Sequence, residues 1–201
     1  MKTYQKIMAV AAVVAMASGC TRVQTGEVGV RIGWDKQIQQ GELMPGSFNQ
    51  MIICDIITFP VKDVAAEVND MTPIAKDNST MADFDMTLIY NINPSQVAEI
   101  YSSKSRSFHM VAKNDTYLMY NYIFNAARNA IYKSARKYEA LNMADNRGAM
   151  EVEIKDFITK TMADEKLDGT ITISQVLIRN VLPADSIVAS ANELVKAKNE
   201  Y

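Results

Sequence analysis

The sequence predicts an α+β fold: a β-rich N-terminal part of antiparallel strands, then helix–helix–strand and a short C-terminal helix. Two observations carry this. Residues 81–92 alternate apolar and polar with period two, the mark of a strand with one buried face. From about residue 108 onward, apolar residues instead recur at spacings of three and four, the mark of helices with one buried stripe. At 201 residues, with 48% hydrophobic and 22% charged content, the chain is long and apolar enough to bury a core. Its formal net charge of -2, without any block of like charges, argues against a nucleic-acid partner, which requires a basic face.

The first residues differ from the rest. Lys2 and Lys6 precede an apolar or small-residue run over 7–17, too short for the roughly 20 residues that span a bilayer. Residues 1–19 therefore read as an export signal. Ala17-Ser18-Gly19-Cys20 resembles a bacterial lipobox, which makes Cys20 a candidate for lipidation and residues 20–26 a tether. Ala15-Met16-Ala17 also fits ordinary signal peptidase, and an uncleaved anchor is the third alternative. With Cys20 acylated, Cys54 is the remaining thiol, so no internal disulfide framework is expected; its apolar surroundings suit a buried small hydrophobe.

The folded part is expected over 27–182, β-rich from 27 to 92 and α/β from 93 to 182. Val28, Val30, Ile32 and Trp34 alternate with Glu27, Gly29, Arg31 and Gly33 as a first strand, and 41–46 reads as a turn. Residues 48–59 are too apolar to be solvated on both faces. Thr72-Pro73-Ile74-Ala75 is expected to pair, across the turn formers Lys76-Asp77-Asn78-Ser79, with the 81–92 strand, whose inner face would be Ala82, Phe84, Met86, Leu88, Tyr90 and Ile92. Asn93-Pro94-Ser95-Gln96 reads as a helix start with Asn93 as N-cap, and Val97, Ile100 and Tyr101 share one face. A long helix is predicted over 108–137, with Tyr117, Tyr120, Phe124, Ala127 and Ile131 inward. A second runs over 143–165 on Met150, Ile154, Phe157, Ile158 and Met162, with Asn142 and Asp145 at its start and Gly169 as its left-handed cap. A strand over 170–181 and a helix over 183–201, striped with Ile187, Ala191, Leu194 and Lys198, complete the chain.

Catalytic constellations are scarce. The chain has one histidine, His109, which excludes sites built on two imidazoles; it reads as a surface or capping residue. No G-x-S-x-G elbow and no G-x-x-x-x-G-K-[ST] loop occurs, and Gly26, Gly29 and Gly33 sit inside a strand pattern. Asp83 and Asp85 share a strand face, read as a solvated outer face rather than a carboxylate or calcium site. Arg128, Lys133, Arg136 and Lys137 gather late in the predicted long helix; they suit the helix dipole there, or contact with anionic lipid headgroups. No catalytic, metal or cofactor-binding residue is assigned.

Four segments stand out in order: Thr25-Gly26-Glu27-Val28-Gly29-Val30 with Gly33, Leu43-Met44-Pro45-Gly46-Ser47-Phe48, and Thr72 to Asn78 leading into Met86-Thr87-Leu88-Ile89-Tyr90-Asn91-Ile92. The last is Val176-Leu177-Ile178-Arg179-Asn180-Val181-Leu182-Pro183. In order and spacing they resemble the SPFH, or band 7, family of stomatins, prohibitins and flotillins, and the resemblance covers nearly all of the chain after Cys20. It implies a non-enzymatic, membrane-tethered scaffold or regulator. The implied partners are membrane lipid, membrane proteins such as a protease, and further copies of the chain. Two features depart from the family pattern. Members usually continue from the last helix into a long coiled coil, whereas this sequence stops at Tyr201; and a lipobox-like site stands in place of a hydrophobic hairpin. A monomeric envelope lipoprotein adaptor is the alternative expectation, and an enzyme the least favoured. The expected place is the bacterial envelope, lipid-anchored. Thr21 stands where Asp would retain an enteric lipoprotein at the inner membrane, which favours the outer one.

Overall fold

A computed structural model describes residues 21–199 apart from 40, 47, 50–54 and 114; the leader, Cys20 and Cys54 lie outside the described residues. In chain order the strands are β1 (Thr21–Arg22), β2 (Glu27–Ile32), β3 (Phe48–Asn49), β4 (Asp55–Pro60), β5 (Val64–Val68) and β6 (Met81–Ile92). Helix α1 (Val97–Ser103), β7 (Met110–Ala112), β8 (Asp115–Tyr117), α2 (Tyr120–Ala135), α3 (Arg147–Asp164), β9 (Ile171–Pro183) and α4 (Asp185–Asn199) follow. This is the α+β order expected. The chain divides into two compact units: one of residues 1–62, 94–106 and 111–118, the other of 63–93, 107–110 and 119–201.

In the first unit β2 pairs antiparallel with β4, Val28 opposite Phe59 and Val30 opposite Ile57. Val28, Val30 and Phe59 are fully buried. Gly29 is required here by close packing: a Cβ would lie 2.9 Å from Val23 Cγ2 and 3.2 Å from Leu43 Cβ. Trp34 departs from the expected alternation. The strand ends at Ile32, and Trp34 stands in the following turn, 83% exposed. The α1 helix buries Val97 and Ile100, and its Tyr101 ring packs 4.9 Å from that of Phe59.

The second unit is built on a three-stranded antiparallel sheet in the order β5-β6-β9. In β6, Phe84, Met86, Leu88 and Tyr90 are fully buried, as the period-two pattern requires. At its start the phase slips: Met81 is buried and Ala82 exposed, because a bulge between Met81 and Asp83 shifts the register against β9. The predicted hairpin is also smaller than expected. Ile74 and Thr80 make a single bridge across the turn, where Asn78 has φ 62, while the ladder on that side of β6 is formed by β5. A 3-10 turn over Pro94–Gln96 opens directly after Asn93 and leads into α1, and the Asn93 side chain donates to Gly169 O at 3.2 Å.

The helical region differs most from expectation. The α2 helix begins at Tyr120, not near 108; Phe108 lies in a 3-10 turn and Tyr117 in β8. Lys113 takes a left-handed φ of 52 between β7 and β8, so turn-forming residues there divide what the spacing joined. The buried stripe of α2 is Ile123, Ala126, Ala127, Ala130, Ile131, Ser134 and Ala135; Tyr120 and Phe124 are half-buried and stack at 6.4 Å. The α3 helix starts at Arg147, later than predicted, with Asn142 in a preceding 3-10 turn, and buries Met150, Ile154, Ile158 and Met162.

The end of α3 also falls elsewhere. Leu167 N–H donates to Met162 O and Lys166 N–H to Ala163 O, both at 2.9 Å, the double bond pattern of a Schellman cap. Its left-handed residue is Lys166, φ 57, while Gly169 turns the chain into β9. A Lys with φ > 0 is strained by its Cβ, and glycine is not. Lys166→Gly therefore raises stability by about 0.5–1 kcal/mol after its greater unfolded-state freedom is deducted, read as a higher thermal midpoint. An unchanged or lower midpoint contradicts the capping role.

Candidate functional site

The four cations singled out in the sequence lie on α2 and just past its end, and all are exposed. Three are engaged by the chain's own groups. Arg136 donates to Asn78 Oδ1 at 3.0 Å and to Ala75 O at 3.4 Å, tying the end of α2 to the turn before β6. Lys137 pairs with Glu153 Oε2 at 3.1 Å, and Lys133 Nζ sits 4.2 Å over the Phe157 ring. Arg128 is exposed, two turns earlier on the helix.

Glu153, which the sequence reading passed over, organises this region. Its Oε2 also accepts from Ser134 Oγ, and its Oε1 from the Tyr138 hydroxyl, each at 3.2 Å. The signal was present: a carboxylate beside the inward stripe of Met150, Ile154 and Phe157. A cavity of about 160 Å³ lies here, lined by Ala130, Lys133, Ser134, Lys137, Glu153 and Phe157. Desolvation, then the hydrogen bond and charge of Glu153, raise the Tyr138 pKa, so the phenol stays protonated and donates. The arrangement fastens α2 to α3.

A second cluster lies at the β6 bulges. Asp70, Asp83 and Asp85 each present an oxygen within 4.8 Å of the others. Asp85 Oδ1 accepts from Asp70 N–H at 3.0 Å, where Asp70 has φ 56. Asp83 Oδ2 accepts from Asn180 Nδ2 at 2.7 Å, and its Oδ1 is shielded from solvent. These two carboxylates are thus half-buried and bonded to the chain, not the solvated face expected from alternation.

His109 is buried, not a surface residue; the capping part of the expectation describes it better. Its Nδ1 accepts from Met119 N–H at 3.0 Å, at the residue preceding α2, where φ is 58. Asn121 Nδ2 donates to His109 O at 2.9 Å and Ser107 O at 3.0 Å, closing the same junction.

The α4 helix buries no residue. Ile187 and Ala191 of its stripe are partly covered, while Val188, Leu194 and Val195 are 40%, 67% and 57% exposed. Among the described residues no helix is long and apolar enough to cross a membrane.

Two outcomes follow from these contacts. Glu153→Ala removes the acceptor of the buried Ser134 hydroxyl and costs about 1–3 kcal/mol by urea unfolding. Lys137→Ala, whose side chain is 62% exposed, costs about 0–1 kcal/mol. Equal costs would contradict the hydroxyl-centred account. Burial lowers the His109 pKa below its ordinary 6.5, so the unfolded state binds the proton more readily. Stability from this residue is full above pH 6.5 and falls as pH drops from 6.5 towards the folded-state pKa. His109→Asn flattens that part of the stability–pH curve; an unchanged slope assigns the acid sensitivity elsewhere.

Comparison with known proteins agrees with this geometry. A family model described as SPFH domain / Band 7 family matches residues 21–201. No curated protein matches the chain. Proteins of this family typically associate with membranes and oligomerise. The antiparallel strands, the four helices and a match over nearly the whole chain converge, and the chain belongs to the SPFH domain / Band 7 family.

Proposed function

We propose that this protein is a membrane-tethered, non-enzymatic scaffold of the bacterial envelope. It is held by lipid on Cys20 and gathers membrane proteins by associating with further copies of itself. The observation that carries the reading is α4: a helix of 15 residues that follows β9 without burying a side chain. A helix of this length is marginal alone, and its apolar residues gain stability by packing against another helix. Self-association also suits a lipid tether, since linked copies convert weak single attachments into avid ones. The exposed cations Arg128, Lys133, Arg136 and Lys137 extend the reading as a diffuse surface for anionic headgroups. An outer-membrane position, and a membrane protease among the partners, belong to the same proposal.

The test begins with protein extracted from membranes in detergent. Its intact mass is expected to start at Cys20 and to carry a diacylglyceryl or triacyl group. Its particle size is expected to exceed a monomer and to fall to one on Leu194→Asp. A lipid-free mass starting at Ser18 removes the tether. A lipidated monomer, unaltered by Leu194→Asp, makes the protein a single-copy adaptor instead.

A further inference from the structure

The cavity between α2 and α3 has a buried floor and a charged rim. Ala130 and Ser134 are buried, Phe157 is half-buried, and Lys133 and Lys137 are exposed. Spacings of three and four put Ala130, Lys133, Ser134 and Lys137 on one line of α2 and its continuation, and Glu153 and Phe157 on one line of α3. The Ala130 methyl, the Phe157 ring and the lysine stems give the cavity apolar walls. Its volume of about 160 Å³ suits a body of about six heavy atoms, since an apolar cavity of about 150 Å³ takes up benzene.

The charges around it are unevenly matched. Both oxygens of Glu153 are engaged: Oε2 accepts from Ser134 Oγ at 3.2 Å and pairs with Lys137 Nζ at 3.1 Å, and Oε1 accepts from the Tyr138 hydroxyl at 3.2 Å. Lys133 has no carboxylate partner among the described residues; its Nζ rests 4.2 Å over the Phe157 ring. A ring face attracts an ammonium but gives its N–H groups no lone pair to bond, so those donors are open to a ligand.

One uncompensated ammonium beside one engaged carboxylate selects a single negative charge. A cation would compete with Lys133 for the ring and with Lys137 for Glu153. A dianion would bring its second charge against Glu153 with no second free ammonium to meet it. The end of α2 does not oppose an anion, because Ser134 O accepts from Lys137 N–H at 2.9 Å and Ala135 O from Tyr138 N–H at 3.2 Å. We propose that this cavity is a binding site for a small monocarboxylate, its carboxylate on the Lys133 ammonium and its apolar body against Ala130 and Phe157. The site requires neither the lipid tether nor the association of α4.

The test uses three probes that share one ring: benzoate, benzyl alcohol and benzylammonium. Each is titrated into the detergent-extracted full chain carrying ¹³C-methyl alanine, and binding is read at the Ala130 methyl, whose resonance is identified by its loss in Ala130→Ser. Benzoate is expected to shift it saturably, with the other two binding at least about tenfold more weakly, the worth of one charge-assisted hydrogen bond. Lys133→Met keeps the stem and removes the charge. It is expected to weaken benzoate about tenfold, to leave benzyl alcohol unchanged, and to leave the remaining alanine methyls in place, which shows that the fold is intact. Equal binding of the three probes reduces the cavity to an apolar hole and overturns the proposal. Benzoate binding that survives Lys133→Met, or an Ala130 methyl that none of the probes moves, overturns it as well.

Discussion

The burial of one face of β6 is the constraint on which the second unit depends. Of its twelve residues, β9 pairs along nearly the whole length and β5 along Met86–Tyr90, so the backbone groups at the centre of this strand are satisfied within the sheet, and its large side chains are committed to one face. Full burial of a side chain such as Phe84 or Leu88 contributes about 1.5–3 kcal/mol, and the α2 and α3 stripes exist to cover that surface. The α3 helix is fixed to β9 by Glu151, which accepts from Ile178 N–H at 2.8 Å, and by Lys155, which donates to Ser174 O at 3.0 Å. The α2 helix is fixed to the turn before β6 by Arg136, and to α3 by Glu153. Polar contacts here set direction; the apolar face sets which elements must meet.

How much of this was legible follows from the range of the forces involved. Period-two alternation over 81–92 is local, and it identified the strand and all but one residue of its inner face. Ala82 failed because a bulge is a property of two strands, and β9 lies about ninety residues away in sequence. Helix faces were legible in α3, where the apolar spacing is clean, and misjudged in α2, where two short strands lie inside what looked like continuous periodicity. Caps were less legible still. Gly169 drew the eye as the residue made for positive φ, yet hydrogen bonding placed the left-handed turn at Lys166, with Leu167 buried behind it.

The candidate site shows the same division. The clustering of Arg128, Lys133, Arg136 and Lys137 was visible because helix spacing is local. Their partners were not: Arg136 reaches Asn78 across 58 residues of chain, and Lys137 finds Glu153 on another helix. A cation's role is set by what stands opposite it, and one sequence does not contain that. Trp34 was read as a strand residue because alternation continued through Gly33; the turn that ends the strand is written in Gly33 and Asp35 acting together.

His109 grips Met119 while Asn121 grips Ser107 and His109, so the β7–β8 hairpin is closed at its base by side chains and not by its own length. For a loop closed in this way, each doubling of length costs only about 0.6 kcal/mol of closure entropy. The hairpin is thus a place where the chain can gain residues and new surface chemistry while α2 keeps its starting point.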